Sequence, residues 1–221
     1  LSKRLPKYYE RGARFAKWRA VIDPTGGRPS YAGLIANAHG LARYANLCQA
    51  NKIVPIVEPE VLMDGDNDID TTYAVTEWVL KETFQQLYYM NVALEGIVLK
   101  PNMIVPGKKA AKKASVQEVA EKTIRCLKAC VPSAVPGIAY LSGGQSDEEA
   151  TAHLDAMNKI GGFPWKMTFS YGRALQAAPQ KAWAGKKENV GAGQAAFTHR
   201  ARMNGLASQG KWKADLEKKA A

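Results

Sequence analysis

The chain has 221 residues, 46% hydrophobic and 23% charged, with a formal net charge of +11. That length and balance suit one globular domain over residues 1–221 with a sizeable core, and they argue against a second domain. No apolar run reaches the roughly 18 residues of a membrane-spanning helix, and the opening LSKRLPKYYERG lacks the apolar centre of a signal peptide.

The chain begins at Leu1 rather than Met, so a natural start further upstream is expected. Strand-like runs alternate with helical ones along the rest. Phe15–Ile22 reads as the first strand; Ser30 then caps a helix whose apolar face runs through Leu34, Ile35, Leu41, Ala45 and Cys48. Ile53–Glu58 is the second strand, and its helix covers about Thr72 to Tyr89. Gly96–Lys100, Gly137–Ser142 and Met167–Gly172 follow as strands. Ser115 with Glu118 and Ser146 with Glu149 give capping-box patterns that open the intervening helices. After Gly172 the pattern is helical to the end, with breaks near Gly185 and Gly191.

Strand followed by helix, repeated at roughly 30 to 40 residues per unit, implies parallel strands joined by crossovers. No G-x-G-x-x-G or P-loop follows the first strand, so nucleotide-binding sheets give way to an α/β TIM (β/α)₈ barrel. Only five of its units are present, so three are expected upstream of Leu1.

In such a barrel the chemistry sits at the C-terminal ends of the strands. Alternate strand residues share a face, so Lys17 and Arg19 point together around Trp18, as do Glu58 and Glu60 around Pro59. Lys100 ends the third strand just before Pro101-Asn102. Any one of these is ordinarily a solvated rim residue. Together they place charge where apolar strands would otherwise continue, and buried charges are costly unless they pair or act. A lysine becomes a nucleophilic amine when desolvation and a neighbouring cation lower its pKa, and a nearby carboxylate can shuttle protons during imine formation. Lys100, Lys17 and Glu58 fit those roles.

The last two strands end in LSGGQS and SYGRAL. Ser142, Gly143 and Gly144 open one helix and Gly172 with Arg173 the next, an arrangement suited to a phosphate at helix N-termini. Other features lead nowhere. The acidic DGDNDID segment (64–70) has Ile69 where a calcium loop requires glycine and Val75 where it requires glutamate, so it reads as an acidic surface loop. His39, His153 and His199 form no metal-binding pair, and no cofactor is implied. Trp18, Trp165 and Trp183 read as packing residues. Cys48, Cys126 and Cys130 lack CxxC spacing and read as reduced thiols of an intracellular protein.

The strings FAKWR, IVPIVEPE, EGIVLKPNM, LSGGQS, TFSYGRALQ and KAWAGKKEN, in this order, resemble class I fructose-bisphosphate aldolases over nearly the whole chain. The resemblance implies a metal-independent lyase of glycolysis and gluconeogenesis. It would cleave fructose 1,6-bisphosphate reversibly to dihydroxyacetone phosphate and glyceraldehyde 3-phosphate. Lys100 corresponds to the Schiff-base lysine, Glu58 to the residue handling protons, Glu60 to its supporting neighbour and Lys17 to the lysine beside the nucleophile. Arg19 matches a substrate phosphate contact, and Ser142, Gly143, Gly144, Ser170, Gly172 and Arg173 match the site for the dihydroxyacetone-phosphate end.

The resemblance further implies a homotetramer, cytoplasmic or in a plastid or glycosome, with secondary binding to acidic filaments. The family's first three strands, with an aspartate and a lysine of the site, and its terminal tyrosine have no counterpart in these residues. The 221 residues alone are therefore expected to be inactive. Other Schiff-base barrels, such as a transaldolase or a deoxysugar-phosphate aldolase, would share the lysine chemistry. A protein using its basic surface to bind nucleic acid or acidic filaments would share only the charge.

Overall fold

In the computed structural model, which describes residues 1–27 and 29–219, the alternating pattern becomes one parallel sheet of five strands in chain order. The strands are β1 (Phe15–Ile22), β2 (Val54–Val61), β3 (Val98–Leu99), β4 (Gly137–Tyr140) and β5 (Lys166–Phe169). The helices are α1 (Leu5–Glu10), α2 (Tyr31–Ala50), α3 (Ile69–Tyr89), α4 (Val116–Cys130), α5 (Asp147–Ile160), α6 (Arg173–Trp183) and α7 (Val190–Ala207). Parallel neighbours require crossovers, and α2 to α5 supply them.

The helices cover one face of the sheet. Ala20, Ile22, Val57, Val61, Leu99, Ile138, Tyr140 and Met167 are buried there, in a core shared with Leu41, Leu80, Leu87, Leu127 and Leu154. On the other face Phe15, Lys17, Arg19, Val21, Lys166 and Thr168 are exposed. A parallel sheet is ordinarily buried on both faces, and this one is open where a barrel would have its interior. β1 and β5 are the two edges.

Element ends are set by hydrogen bonds between distant parts of the chain. β2 runs past Glu58 to Val61 because β1 stays in register with it, from Phe15 opposite Val54 to Ile22 opposite Val61. α3 starts earlier than its apolar stripe, at Ile69, since the Asp68 carboxylate accepts from the Thr71 N–H at 2.7 Å. At α5 the capping box closes in both directions between Ser146 and Glu149, while at α4 the Ser115 hydroxyl accepts from the Glu118 N–H.

The break expected near Gly185 is present, with Ala184 at φ 51° and Gly185 at φ 73° closing α6, whereas Gly191 makes no break of its own and sits inside the first turn of α7. Of the three tryptophans expected to pack, Trp165 is buried and its indole N–H donates to the Pro132 carbonyl at 3.0 Å. Trp18 and Trp183 are 59% and 46% exposed. Trp18 alternates with Lys17 and Arg19 on the sheet's edge strand, where no further strand covers it. Among the described residues no helix is long and apolar enough to cross a membrane.

Candidate active site

The pleat of β1 and β2 turns four charged side chains to the open face of the sheet. Register places Arg19 opposite Glu58 and Lys17 opposite Ile56, so each cation reaches the carboxylate two residues further along β2 than its own partner. Lys17 Nζ is 3.1 Å from Glu58 Oε2, and Arg19 Nε pairs with Glu60 Oε2. Lys100, one residue beyond β3, places its Nζ 3.0 Å from Glu58 Oε1. Glu58 therefore bridges two lysines, one on each neighbouring strand. Exposure is 3% for Glu58, 6% for Glu60 and 7% for Lys100. The Lys17 and Arg19 side chains stay 47% exposed, facing the open side.

The strands' ends form one continuous ledge. Lys100 N–H donates to Val57 O at 2.7 Å, Leu141 N–H to Pro101 O at 3.2 Å and Ser170 N–H to Tyr140 O at 2.8 Å, so each strand exit is tied to the one before it. Ser142, 3% exposed, follows on this ledge. Its hydroxyl accepts from the Ala174 N–H at 3.5 Å and so links the loop after β4 to the first turn of α6. Gly143 adopts φ +56°, a conformation that favours glycine. Gly172 is the N-cap of α6 and offers no side chain of its own, and Arg173, its first residue, is exposed. The lysine–carboxylate group and the glycine loops are thus consecutive along the sheet; Arg19, on β1, lies on the opposite side of Glu58 from them, paired with Glu60 two residues further along β2.

The acidic segment after β2 is only partly a surface loop. Asp64 pairs with Lys108 at 3.3 Å and Asp68 caps α3, but Asn67 is buried and donates to Thr72 Oγ1 at 2.7 Å. Gly107 and Lys109 donate backbone bonds to Asn67 O and Gly65 O, which laces this loop to the one after β3. Lys108 in turn lies across Gly144 and Met63 against Gly143, so the loops after β2, β3 and β4 meet at one rim.

Several positioning residues had no distinct signal in the sequence. Asn102, 1% exposed, accepts from Val61 N–H at 3.0 Å and donates to Thr76 Oγ1 at 3.0 Å, fixing the chain two residues after Lys100. Its place directly after Pro101 at a strand end marks a stop, which is all the pattern conveys. The Tyr44 hydroxyl of α2 lies between the Ala16 and Ile56 carbonyls, beside Lys17 on β1 and Val57 on β2. Burial pushes its phenol well above the usual range, so it remains a donor. Gln145 donates to Ser142 O at 3.0 Å, which leaves its Oε1 to accept from His153 Nδ1 at 2.5 Å.

A family profile described as "Glycolytic: Fructose-bisphosphate aldolase class-I" matches residues 1–221. Similar curated proteins include a "Probable fructose-bisphosphate aldolase class 1" of Xanthomonas campestris, 54% identical over 214 residues, which are 96% of this chain and 64% of that protein. "Fructose-bisphosphate aldolase 1" of Toxoplasma gondii is also 54% identical, over 96% of this chain and 59% of its own length. "Fructose-bisphosphate aldolase 4, cytosolic" of Arabidopsis thaliana is 51% identical over 98% of this chain and 56% of its own length. Among solved structures, fructose-bisphosphate aldolase from Plasmodium falciparum, in a complex with TRAP and a small-molecule inhibitor, superposes with a TM-score of 0.94 at 47% identity. That match covers 96% of this chain and 62% of the other. The chain spans less than two thirds of the length of these proteins, and its five-stranded sheet corresponds to part of an aldolase barrel. The chain belongs to the class I fructose-bisphosphate aldolase family.

Proposed function

We propose that this chain supplies the Schiff-base side of an aldolase site that cleaves fructose 1,6-bisphosphate reversibly to dihydroxyacetone phosphate and glyceraldehyde 3-phosphate. The observation that carries the reading is the Glu58 carboxylate held between Lys17 and Lys100 at 3.1 and 3.0 Å. Glu58 Oε1 is placed to take the Lys100 ammonium proton and leave an amine that attacks the substrate ketone. The same carboxyl returns a proton to the carbinolamine oxygen, water leaves, and an iminium forms. That cation accepts the electron pair of the breaking C3–C4 bond while the C4 hydroxyl gives up its proton and leaves as the aldehyde; the enamine that results is protonated to an iminium, which water hydrolyses to free Lys100. Lys17, paired with Oε2, keeps positive charge beside the carboxylate, and Glu60 holds Arg19.

Ser142, Gly143, Gly144, Ser170, Gly172 and Arg173 would receive the phosphate of the dihydroxyacetone-phosphate end, where loop amides and a helix N-terminus meet an anion. Arg19, on the other side of Glu58, would meet the second phosphate. Two anion sites flanking one lysine favour a bisphosphate over the monophosphates of other Schiff-base aldolases, and a substrate profile separates the two readings. With this function go a homotetrameric state, a cytoplasmic location and secondary contacts of the basic surface with acidic filaments rather than nucleic acid. In the 221-residue polypeptide the open sheet face leaves Lys17 and Arg19 in water, so turnover by it alone is not expected.

The test is borohydride trapping with dihydroxyacetone phosphate, on a polypeptide that joins this chain to the barrel strands its relatives possess. A reduced adduct mapped to Lys100, and absent from Lys100→Met, supports the reading. Folded protein that cleaves the bisphosphate with no adduct on Lys100 refutes it.

A further inference from the structure

Of the residues assigned to the phosphate of the dihydroxyacetone-phosphate end, only Arg173 carries a positive charge. A phosphate monoester carries about −1.5 to −2 near neutral pH. Loop amides and one guanidinium leave part of that charge without a counterpart. A second cation at the glycine loop would supply it, and the loop after β3 brings one there.

That cation is Lys108, whose backbone is fixed from both sides. Its N–H donates to the Met63 carbonyl at 2.8 Å, and its own carbonyl accepts from Lys113 Nζ at 2.8 Å. From this anchor the side chain crosses Gly144, with Nζ 2.8 Å from the position a Cβ on Gly144 would occupy. Only the missing side chain at 144 lets the ammonium rest against the loop backbone. Nζ also pairs with Asp64 Oδ1 at 3.3 Å. Lys108 thus stands where the loops after β2, β3 and β4 meet, beside the amides proposed to receive an anion.

The pair with Asp64 is weak by position. Its side chains are 46% and 56% exposed, and an exposed ion pair shifts an equilibrium by no more than about fivefold. A hydrogen bond to a charged group contributes about 10- to 100-fold, and phosphate offers both the larger charge and more acceptor oxygens. The ammonium can therefore change partners by rotating its own side chain, while the backbone at 108 stays pinned.

We propose that Lys108 is a further phosphate-binding residue of the site, and that its ammonium leaves Asp64 for the phosphate that the glycine loop receives. Lys108 then helps the site select phosphorylated ketones over their unphosphorylated analogues. The proposal rests on the aldolase reading for the identity of the ligand.

The barrel-completed polypeptide is titrated by calorimetry with dihydroxyacetone phosphate at low ionic strength, and the Lys100 adduct is trapped separately with borohydride. Lys108→Met should weaken binding by about 10- to 100-fold, and Lys108→Arg should restore most of it. Lys109→Met removes the same charge from the exposed neighbour and should change affinity by less than about twofold. Asp64→Asn should tighten binding by about two- to fivefold in the parent and have little effect in Lys108→Met, because Asp64 acts through the lysine. The proposal is overturned if Lys108→Met, melting as the parent does, binds within about twofold of it, or if Lys109→Met costs as much. It is also overturned if Asp64→Asn tightens binding equally without Lys108, since Asp64 would then simply repel the anion. Binding that keeps the Lys108 dependence with no adduct on Lys100 would support the phosphate contact and remove the Schiff-base reading alone.

Discussion

Glu58 Oε1 lies 3.0 Å from Lys100 Nζ in a pair of which 3% and 7%, respectively, remains exposed. Removing one member of a buried ion pair strands the other, at a cost of about 3–5 kcal/mol, whereas removing both costs far less. Glu58→Ala is therefore expected to lower unfolding stability by about 3 kcal/mol or more, and Glu58→Gln by less, because the amide oxygen still accepts. Glu58→Gln with Lys100→Met should recover most of the loss. Urea denaturation of the parent, Glu58→Gln, Lys100→Met and the double variant measures this cycle. If Glu58→Ala unfolds at the parent's urea concentration, the pair is not a buried one. In the complete barrel the same Glu58→Gln should slow formation of the Lys100 adduct by about 10²- to 10⁴-fold, the range for loss of a proton-transfer group.

Asn102 anchors Lys100 through bonds that no local pattern announces. Its Oδ1 satisfies the Val61 N–H and its Nδ2 donates to Thr76 Oγ1 and, at 3.1 Å, to the Met103 carbonyl. Asn102→Leu leaves the first of these donors buried without a partner, at about 1–3 kcal/mol for that group alone. Thr76→Val removes one acceptor and should cost about 1 kcal/mol. Thermal unfolding separates them, since 1 kcal/mol is worth roughly 2–4 °C in a domain of this size. Equal losses for the two substitutions would show that Val61 finds another acceptor.

What could be foreseen in the sequence follows from this difference between local and distant causes. Alternation pairs Lys17 with Arg19 and Glu58 with Glu60, each on one face of its own strand, and the unbroken β1–β2 register, which no local pattern announces, brings the two pairs together. Ser30, Ser115 and Ser146 were legible as caps because a cap and its target lie within one turn. Asn102, Tyr44 and the Gln145–His153 pair act on groups fixed by the folded path of the chain, and an Asn, a Tyr or a Gln has the same appearance wherever it bonds. The break after α6 falls at Gly185 as its glycine suggests, but the second one expected near Gly191 does not occur. Gly191 has negative φ within α7, whereas Ala184, a strong helix former, takes the left-handed turn.

Gly143 and Gly172 flank the proposed phosphate site under opposite constraints. Gly143 has φ +56°, and an added Cβ would run into the Met63 thioether beneath it. Gly172 has φ −88°, with nothing within 4 Å of an added Cβ. Gly143→Ala is expected to cost about 1–3 kcal/mol from backbone strain and to displace the loop. Gly172→Ala should leave stability within about 0.5 kcal/mol. Phosphate or dihydroxyacetone phosphate affinity, followed by calorimetry on the barrel-completed protein, should fall for the first and change little for the second. A Gly143→Ala protein with unaltered melting temperature and affinity would remove the loop from the site.

His153 makes the region behind that loop sensitive to acid. It is 7% exposed on α5, and burial pushes its imidazole down to about 4, with only the Glu149 carboxylate one turn away opposing the shift. Its Nδ1–H bonds to Gln145, which holds Ser142. Protonation therefore leaves that bond intact and places the charge in the enclosed ring. The folded value lies below the unfolded one near 6.5, so the stability from neutral His153 is complete above about pH 6.5 and is lost as the pH falls toward 4. The whole window amounts to about 3 kcal/mol. Glu149 is itself held below the usual carboxylate range by the Ser146 N–H, so its own contribution fades only at the acid end of this window. The comparison that isolates His153 is the difference in urea midpoint between the parent and His153→Gln from pH 7 to pH 5. The parent should lose stability by about 1.4 kcal/mol per pH unit at most as the ring charges, and the variant should follow a flatter line. Parallel lines would mean that the imidazole is solvated or paired in its charged form and contributes nothing to the acid limb.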